Sequence, residues 1–114
     1  MKIRTERTIA VAHYLPDYNG PCQNLHGHNI RVVVEVEGEL DNETHMIVDF
    51  AAIKSIINQY DHRCLNDFGL YPTAEELAIK IAREVKELGS KIEYVKVRVY
   101  ESKDSYAEYV CANS

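Results

Sequence analysis

From His26 to Glu37 the chain alternates with a period of two: His26, His28, Ile30, Val32, Val34 and Val36 fall on one side, and Asn29, Arg31, Glu35 and Glu37 on the other. Successive side chains of a strand leave on opposite faces, so this run predicts a long strand with one face in a core and one in water. Any fold for the chain must therefore contain a sheet. Two histidines point the way the valines point, and an imidazole among apolar side chains loses hydration that something has to replace.

A second alternating run, Ile92 to Ser102, puts Val95, Val97, Val99 and Glu101 on one face, and Tyr106 to Ala112 supplies its partner across the tight Lys103-Asp104 connection. Lys2 to Leu15, with Thr5, Thr8, Ile9 and Val11, reads as a first strand stopped by Pro16 and the turn-rich stretch Asp17 to Pro21. Gly38 to His45 reads as a polar turn and Met46-Ile47-Val48 as a short strand. Asp49 is a good N-cap for a helix over Phe50 to Tyr60, where Phe50, Ile53, Ile57 and Tyr60 recur at helical spacing. A second helix follows Pro72: Thr73 and Glu76 have capping-box spacing, Leu77, Ile81, Val85 and Leu88 form an apolar stripe, and Gly89 closes the end. Strands, helices, then strands predict an α+β domain, an antiparallel sheet with both helices on one face.

At 114 residues the chain fits one domain, able to bury somewhat less than about 70% of its unfolded surface. It lacks the run of about 18 apolar residues that a membrane span needs, and Met1 to Glu6 is charged rather than signal-like. Three widely spaced cysteines, Cys22, Cys64 and Cys111, suit free thiols in a reducing compartment, so the expected location is the cytoplasm. The net charge of −5, with Lys and Arg scattered among acids, argues against nucleic acid as a partner. A phosphate-bearing ligand would need a local basic pocket, and the sequence does not show which Arg or Lys forms it.

Taken singly, His13 reads as an ordinary half-buried strand residue. With His26 and His28, three neutral imidazoles have the chemistry to hold zinc with one coordination position left open. Cys22, in the loop before His26, reads as a reactive thiol facing a ligand, as a small loop hydrophobe, or as a fourth ligand closing a structural zinc site. Asp61-His62 reads as a carboxylate and imidazole exchanging protons, or as a plain surface pair. Glu101 is either a strand end breaking into solvent or a carboxylate aimed into a pocket, where it could accept hydrogen bonds from the amino edge of a heterocycle. Cys64 and Cys111 have no motif around them and are assigned to packing.

In order, Ala10-Val11-Ala12-His13, Cys22-Gln23-Asn24-Leu25-His26-Gly27-His28, Met46-Ile47-Val48-Asp49-Phe50, Asp61-His62 with Leu65-Asn66, Pro72-Thr73-Ala74-Glu75-Glu76-Leu77-Ala78, and Glu101 make a recognisable string. It resembles the 6-pyruvoyl tetrahydropterin synthase family, including its 6-carboxy-tetrahydropterin synthase branch, over nearly the whole chain, read as one domain over 1–114. The resemblance implies a T-fold, in which a four-stranded antiparallel sheet with two helices on one face oligomerises into a barrel, usually a homohexamer of two trimers. It implies Zn2+ on His13, His26 and His28, a catalytic thiol at Cys22, a proton-relay pair at Asp61 and His62, and a pterin-anchoring carboxylate at Glu101. Thr73 falls near a position that touches the pterin.

The resemblance also implies a zinc-dependent lyase acting on a small-molecule pterin triphosphate. The favoured reaction converts 7,8-dihydroneopterin triphosphate to 6-carboxy-5,6,7,8-tetrahydropterin with loss of triphosphate and acetaldehyde, on the route to deazaguanine nucleosides such as queuosine. The runner-up is the pyruvoyl synthase, which eliminates triphosphate without cleaving the side chain. Two further readings are a non-catalytic zinc-stabilised assembly module and an aldolase-like relative acting on dephosphorylated dihydroneopterin. The presence of Cys22, Asp61, His62 and Glu101 disfavours the module, and the thiol disfavours the aldolase. Ile9, His45 and Tyr60 depart from the family's usual residues but remove no chemical group from the implied site.

Overall fold

The computed structural model describes residues 1–15, 19–20 and 24–113. In chain order the elements are β1 (Lys2–His13), β2 (His26–Gly38), α1 (Phe50–Asn58), β3 (Arg63–Cys64), a single 3-10 turn (Leu65–Phe68), α2 (Ala74–Lys86), β4 (Ile92–Ser102) and β5 (Ser105–Ala112). The strands form one sheet in the order β3-β1-β2-β4-β5, antiparallel throughout except for β3, which runs parallel to β1.

One face of the sheet carries the core. Ile9 and Val11 from β1, Ile30, Val32, Val34 and Val36 from β2, and Val95, Val97 and Val99 from β4 are buried against Ile53 and Ile57 of α1 and Leu77, Ile81 and Val85 of α2. Each such side chain contributes about 1.5–3 kcal/mol when fully withdrawn from water. α1 lies against β1, and α2 against β4 and β5. The helices start where their caps direct: Asp49 Oδ1 accepts the Ala51 N–H at 2.8 Å, and Thr73 Oγ1 accepts the Glu76 N–H at 3.2 Å. The other half of the expected capping box is replaced, because the Thr73 N–H goes to the Tyr71 carbonyl at 2.8 Å.

The other face has no helix on it and is covered by ion pairs. Glu6 meets Arg4 at 2.9 Å and Arg31 at 3.0 Å, Glu35 lies between Lys2 and Lys96, and Arg98 meets Glu108 at 2.6 Å. Exposed pairs of this kind contribute about 0–1 kcal/mol each, so they keep the face wet rather than hold the fold together.

The expected four-stranded sheet gains a fifth strand of two residues. It forms because the His62 N–H donates to the Ala10 carbonyl at 2.6 Å, drawing the following residues alongside β1. Met46 to Val48 is not a strand. Asp41 closes that loop locally: its carboxylate accepts from Glu43 and Thr44, and its N–H donates to the Met46 carbonyl at 2.8 Å. Ile47 still reaches the core. β1 ends at His13 rather than Leu15, and α1 at Asn58 rather than Tyr60. Tyr60, just beyond the helix, is fully buried and donates its hydroxyl proton to the Glu84 carboxylate. No helix among the described residues is long and apolar enough to cross a membrane.

Candidate metal centre and proton-transfer pair

The antiparallel register sets His13, the last residue of β1, opposite His26, the first of β2, and Val11 opposite His28. All three imidazoles therefore leave the sheet on the core side, where the apolar columns of β1 and β2 run out. His13 is 6% exposed, and its Nε2 lies 3.0 Å from His26 Nε2 and 3.1 Å from His28 Nε2. Two rings are anchored from behind. His13 Nδ1 is 2.7 Å from the Pro72 carbonyl, and His26 Nδ1 is 2.8 Å from the Asn24 carbonyl.

A carbonyl can only accept, so Nδ1 of His13 and of His26 carries the proton, and in the neutral rings Nε2 is left with a lone pair. Two such lone pairs 3.0 Å apart repel unless a cation lies between them. These are the only three His, Cys, Asp or Glu residues among the described residues whose ligand atoms cluster closely enough to hold a metal ion together. Zinc at about 2.0–2.1 Å from each nitrogen sets tetrahedral ligand atoms roughly 3.3–3.4 Å apart. The two contacts to His13 need to open only slightly to match, and all three ligand atoms lie within 4.8 Å of one another, so the residues fit the group. Burial and the neighbouring His13 ring hold the His28 pKa below its usual 6.5, which favours the neutral, ligating form.

Glu101 ends the core-facing column of β4. Its side chain is exposed, yet it borders both a narrow crevice shared with His13 and His28 and a depression of about 300 Å³ whose wall includes Ala74, Ser105 and Tyr106. Thr73 caps α2 beside Pro72, whose carbonyl anchors His13, so this turn both starts a helix and orients the His13 ring. Cys22 lies outside the described residues.

Asp61 and His62 sit elsewhere. Asp61 Oδ1 accepts the Ala10 N–H at 2.9 Å and approaches His62 Nδ1 at 3.0 Å, while the His62 N–H returns to the Ala10 carbonyl. The Ala10 N–H holds the Asp61 carboxyl below its usual range, helped by the His62 ring and by Arg7. The clamp holds His62 at φ 60°, a left-handed conformation uncommon for a non-glycine residue. The His62 ring, 81% exposed, edges a cleft of about 530 Å³ whose floor includes Ala10, Ala12, Gly27 and Asn29. Those floor positions alternate with Val11, His26 and His28, so the cleft opens on the face of the sheet opposite the imidazole cluster.

Residues given no role at the site by the sequence complete this geometry. Arg63 and Cys64 border the same cleft, and Cys111 lies against the core. Asn66 bonds the backbone of Tyr14. Its place in the string beginning at Asp61 was the available signal, but neither alternation nor helical spacing marks such a contact.

A family model described as 6-pyruvoyl tetrahydropterin synthase matches residues 2–111. A 6-carboxy-5,6,7,8-tetrahydropterin synthase from Synechocystis sp. is 37% identical over 98 residues, covering 76% of each chain. One from Bacillus subtilis is 30% identical over 122 residues, covering 95% of this chain and 84% of the relative. Among solved structures, 6-pyruvoyl tetrahydropterin synthase of Caenorhabditis elegans matches with a TM-score of 0.71 over 100% of this chain and 96% of that one, at 22% identity, a likeness of fold.

Proposed function

Because the chain belongs to the 6-pyruvoyl tetrahydropterin synthase family, we propose that it is a zinc-dependent lyase converting 7,8-dihydroneopterin triphosphate and water to 6-carboxy-5,6,7,8-tetrahydropterin, with release of triphosphate and acetaldehyde. The observation that carries the metal is the convergence of three ring nitrogens, two of them left unprotonated by the carbonyls behind them. The names of the Synechocystis and Bacillus relatives favour the carboxy product. The pyruvoyl synthase remains the second reading, favoured by the description of the family model.

When bound, zinc supplies a Lewis acid that makes the C–H and O–H groups of the substrate side chain easier to deprotonate. His13, His26 and His28 would hold it by neutral nitrogens, leaving its charge undiminished. Cys22 would take a proton as the thiolate. His62, held by Asp61, would deliver or accept protons as triphosphate departs, the carboxylate favouring the charged imidazole. Glu101 would bind the amino edge of the pterin and so set its orientation. The ring is reduced at the expense of its own side chain, so the scheme calls for no separate reductant.

These roles need two copies of the chain. His62, held by Asp61, borders a cleft on one face of the sheet and the imidazole cluster lies on the other, so a site combining them takes each from a different subunit. The outer edge of β5 and the helix-free face are unpartnered within one chain. A cytoplasmic homohexamer of two trimers, its sheets closed into a barrel, is the assembly proposed.

Product analysis tests the reaction. Zinc-loaded protein given dihydroneopterin triphosphate should release acetaldehyde and the carboxy product; pyruvoyl product without acetaldehyde would select the second reading.

A further inference from the structure

The helix-free face of the sheet carries a small cavity of about 130 Å³, lined by Arg4, Val33, Glu35, Lys96, Arg98 and Tyr100. Strand register fixes the side on which these residues leave. Arg4 of β1 and Lys96 of β4 stand opposite Glu35 of β2, and Arg98 stands opposite Val33, one place along each strand from residues packed in the core. Their side-chain contacts lie on the same face: Glu35 Oε2 is 3.5 Å from Lys2 and 3.4 Å from Lys96, Arg4 meets Glu6, and Arg98 meets Glu108 through Nε and the Tyr100 hydroxyl through Nη1. Buried Val33 is the floor.

This cavity is basic although the chain carries a net charge of −5. Its lining holds three cations and one carboxylate. The ion-pair network around it joins five cations, Lys2, Arg4, Arg31, Lys96 and Arg98, to three carboxylates, Glu6, Glu35 and Glu108. Counting Glu37, opposite Lys2, still leaves one positive charge in excess. Glu35 adds a second observation. Its Oε2 is shielded from solvent, yet no described residue donates a hydrogen bond to it; the two lysine nitrogens neutralise the charge without the geometry of a bond. A buried acceptor in this state is costly until a donor reaches it. The space beside it exceeds the roughly 10–15 Å³ that one water needs.

We propose that this cavity binds inorganic hydrogen phosphate. The ligand has to bring negative oxygens to Arg4, Lys96 and Arg98 and a hydroxyl to Glu35, and hydrogen phosphate carries both in one tetrahedral group. Its P–OH donates to Glu35 Oε2. Its other oxygens accept from the Lys96 ammonium, from the N–H groups that Arg4 and Arg98 do not spend on Glu6, Glu108 and Tyr100, and from the Tyr100 hydroxyl. Sulfate has the shape and charge but no proton, so it sets an oxygen against Glu35 with nothing between two like charges. A phosphate monoester loses its last P–OH with a pKa of about 6, and its dianion meets the same obstacle. None of the lining residues belongs to the imidazole cluster or to the cleft beside His62.

The test is calorimetric titration of the full-length, zinc-loaded protein at pH 8 with phosphate, sulfate and methyl phosphate, with zinc content measured before and after. Phosphate should bind about tenfold or more tightly than either of the others, and Lys96→Met should weaken it about ten- to hundredfold, the loss expected of a charge-assisted hydrogen bond. Glu35→Gln, whose amide donates where the carboxylate only accepts, should admit sulfate and abolish the preference. Absence of phosphate binding, or equal affinity of the wild type for phosphate and sulfate, overturns the proposal. So does unchanged phosphate affinity in Lys96→Met, which places the anion on the zinc, or a Glu35→Gln protein that still rejects sulfate. If Lys96→Met does not fold, Arg4→Gln, at an exposed position, is expected to show a loss of the same order.

Discussion

Asn66 holds Tyr14 at both ends of its backbone: the Tyr14 N–H donates to Asn66 Oδ1, and Asn66 Nδ2 donates to the Tyr14 carbonyl, each at 3.1 Å. The side-chain amide thus acts as a strand partner for the residue after His13. Through it, the turn following the Asp61-His62 clamp is tied to the end of the strand that carries His13, a candidate metal ligand.

Replacing Asn66 with Ala should destabilise the protein by about 0.5–1.5 kcal/mol, the usual net contribution of hydrogen bonds whose backbone partners can turn to water. The effect should be concentrated at one end of β1, as faster hydrogen exchange at the Tyr14 amide and weaker zinc affinity in a chelator competition. Asn66→Asp keeps the acceptor alone and should fall between. Wild-type exchange and zinc affinity in Asn66→Ala would separate this contact from the metal centre.

Thr73 links the helix cap to the candidate metal centre through its neighbour Pro72, whose carbonyl lies behind His13. Thr73→Ala should lose about 1 kcal/mol in urea denaturation, as N-cap deletions do. It should also weaken zinc binding, because the turn holding the Pro72 carbonyl behind His13 loosens. Thr73→Ser should restore both quantities, and a Thr73→Ala protein with the wild-type denaturation midpoint would contradict the cap.

What the sequence made legible follows the strength of its periodic signals. The valine columns of β2 and β4, the stripe of α2 and the caps at Asp49 and Thr73 repeat often enough, or sit in distinctive enough contexts, to predict their elements. The two-residue β3 has no period, and it exists because of the Ala10 clamp on His62. Met46 to Val48 has strand-forming residues but spends its backbone bonds on the Asp41 loop. For the site, the alternation showed that His26 and His28 share the core face. That His13 stands opposite His26, and that His62 opens on the other face, depends on strand register and on a positive-φ residue, and neither is written in local composition.

The metal-free protein should be acid-sensitive through His28. Its pKa is held below 6.5 by burial first and the His13 ring next, so as pH falls below 6.5 the unfolded chain takes up a proton that the folded chain resists. This contribution to stability is full above pH 6.5, declines as pH falls towards the folded pKa, and is level below it. Chelated wild type should therefore lose more stability between pH 7 and pH 5 than chelated His28→Asn, as read from urea midpoints. Parallel slopes for the two proteins would remove His28 as the cause.

A site shared between subunits predicts complementation. His28→Ala and His62→Ala should each be inactive, yet unfolding and refolding them together should restore about a quarter of wild-type turnover, the fraction of sites that draw an intact half from each partner. No recovery from mixtures that do form mixed oligomers would place all the groups of a site in one chain.

The central claim is that three imidazoles hold one zinc ion with a coordination position left open. X-ray absorption of zinc-loaded protein, with metal counted per chain, tests it most directly. The account predicts one zinc per chain, a shell of nitrogen and oxygen at about 2.0–2.1 Å with imidazole scattering, and loss of the metal in His13→Ala, His26→Ala and His28→Ala. A sulfur shell at about 2.3 Å, or full zinc content after removal of two of the three histidines, would contradict it.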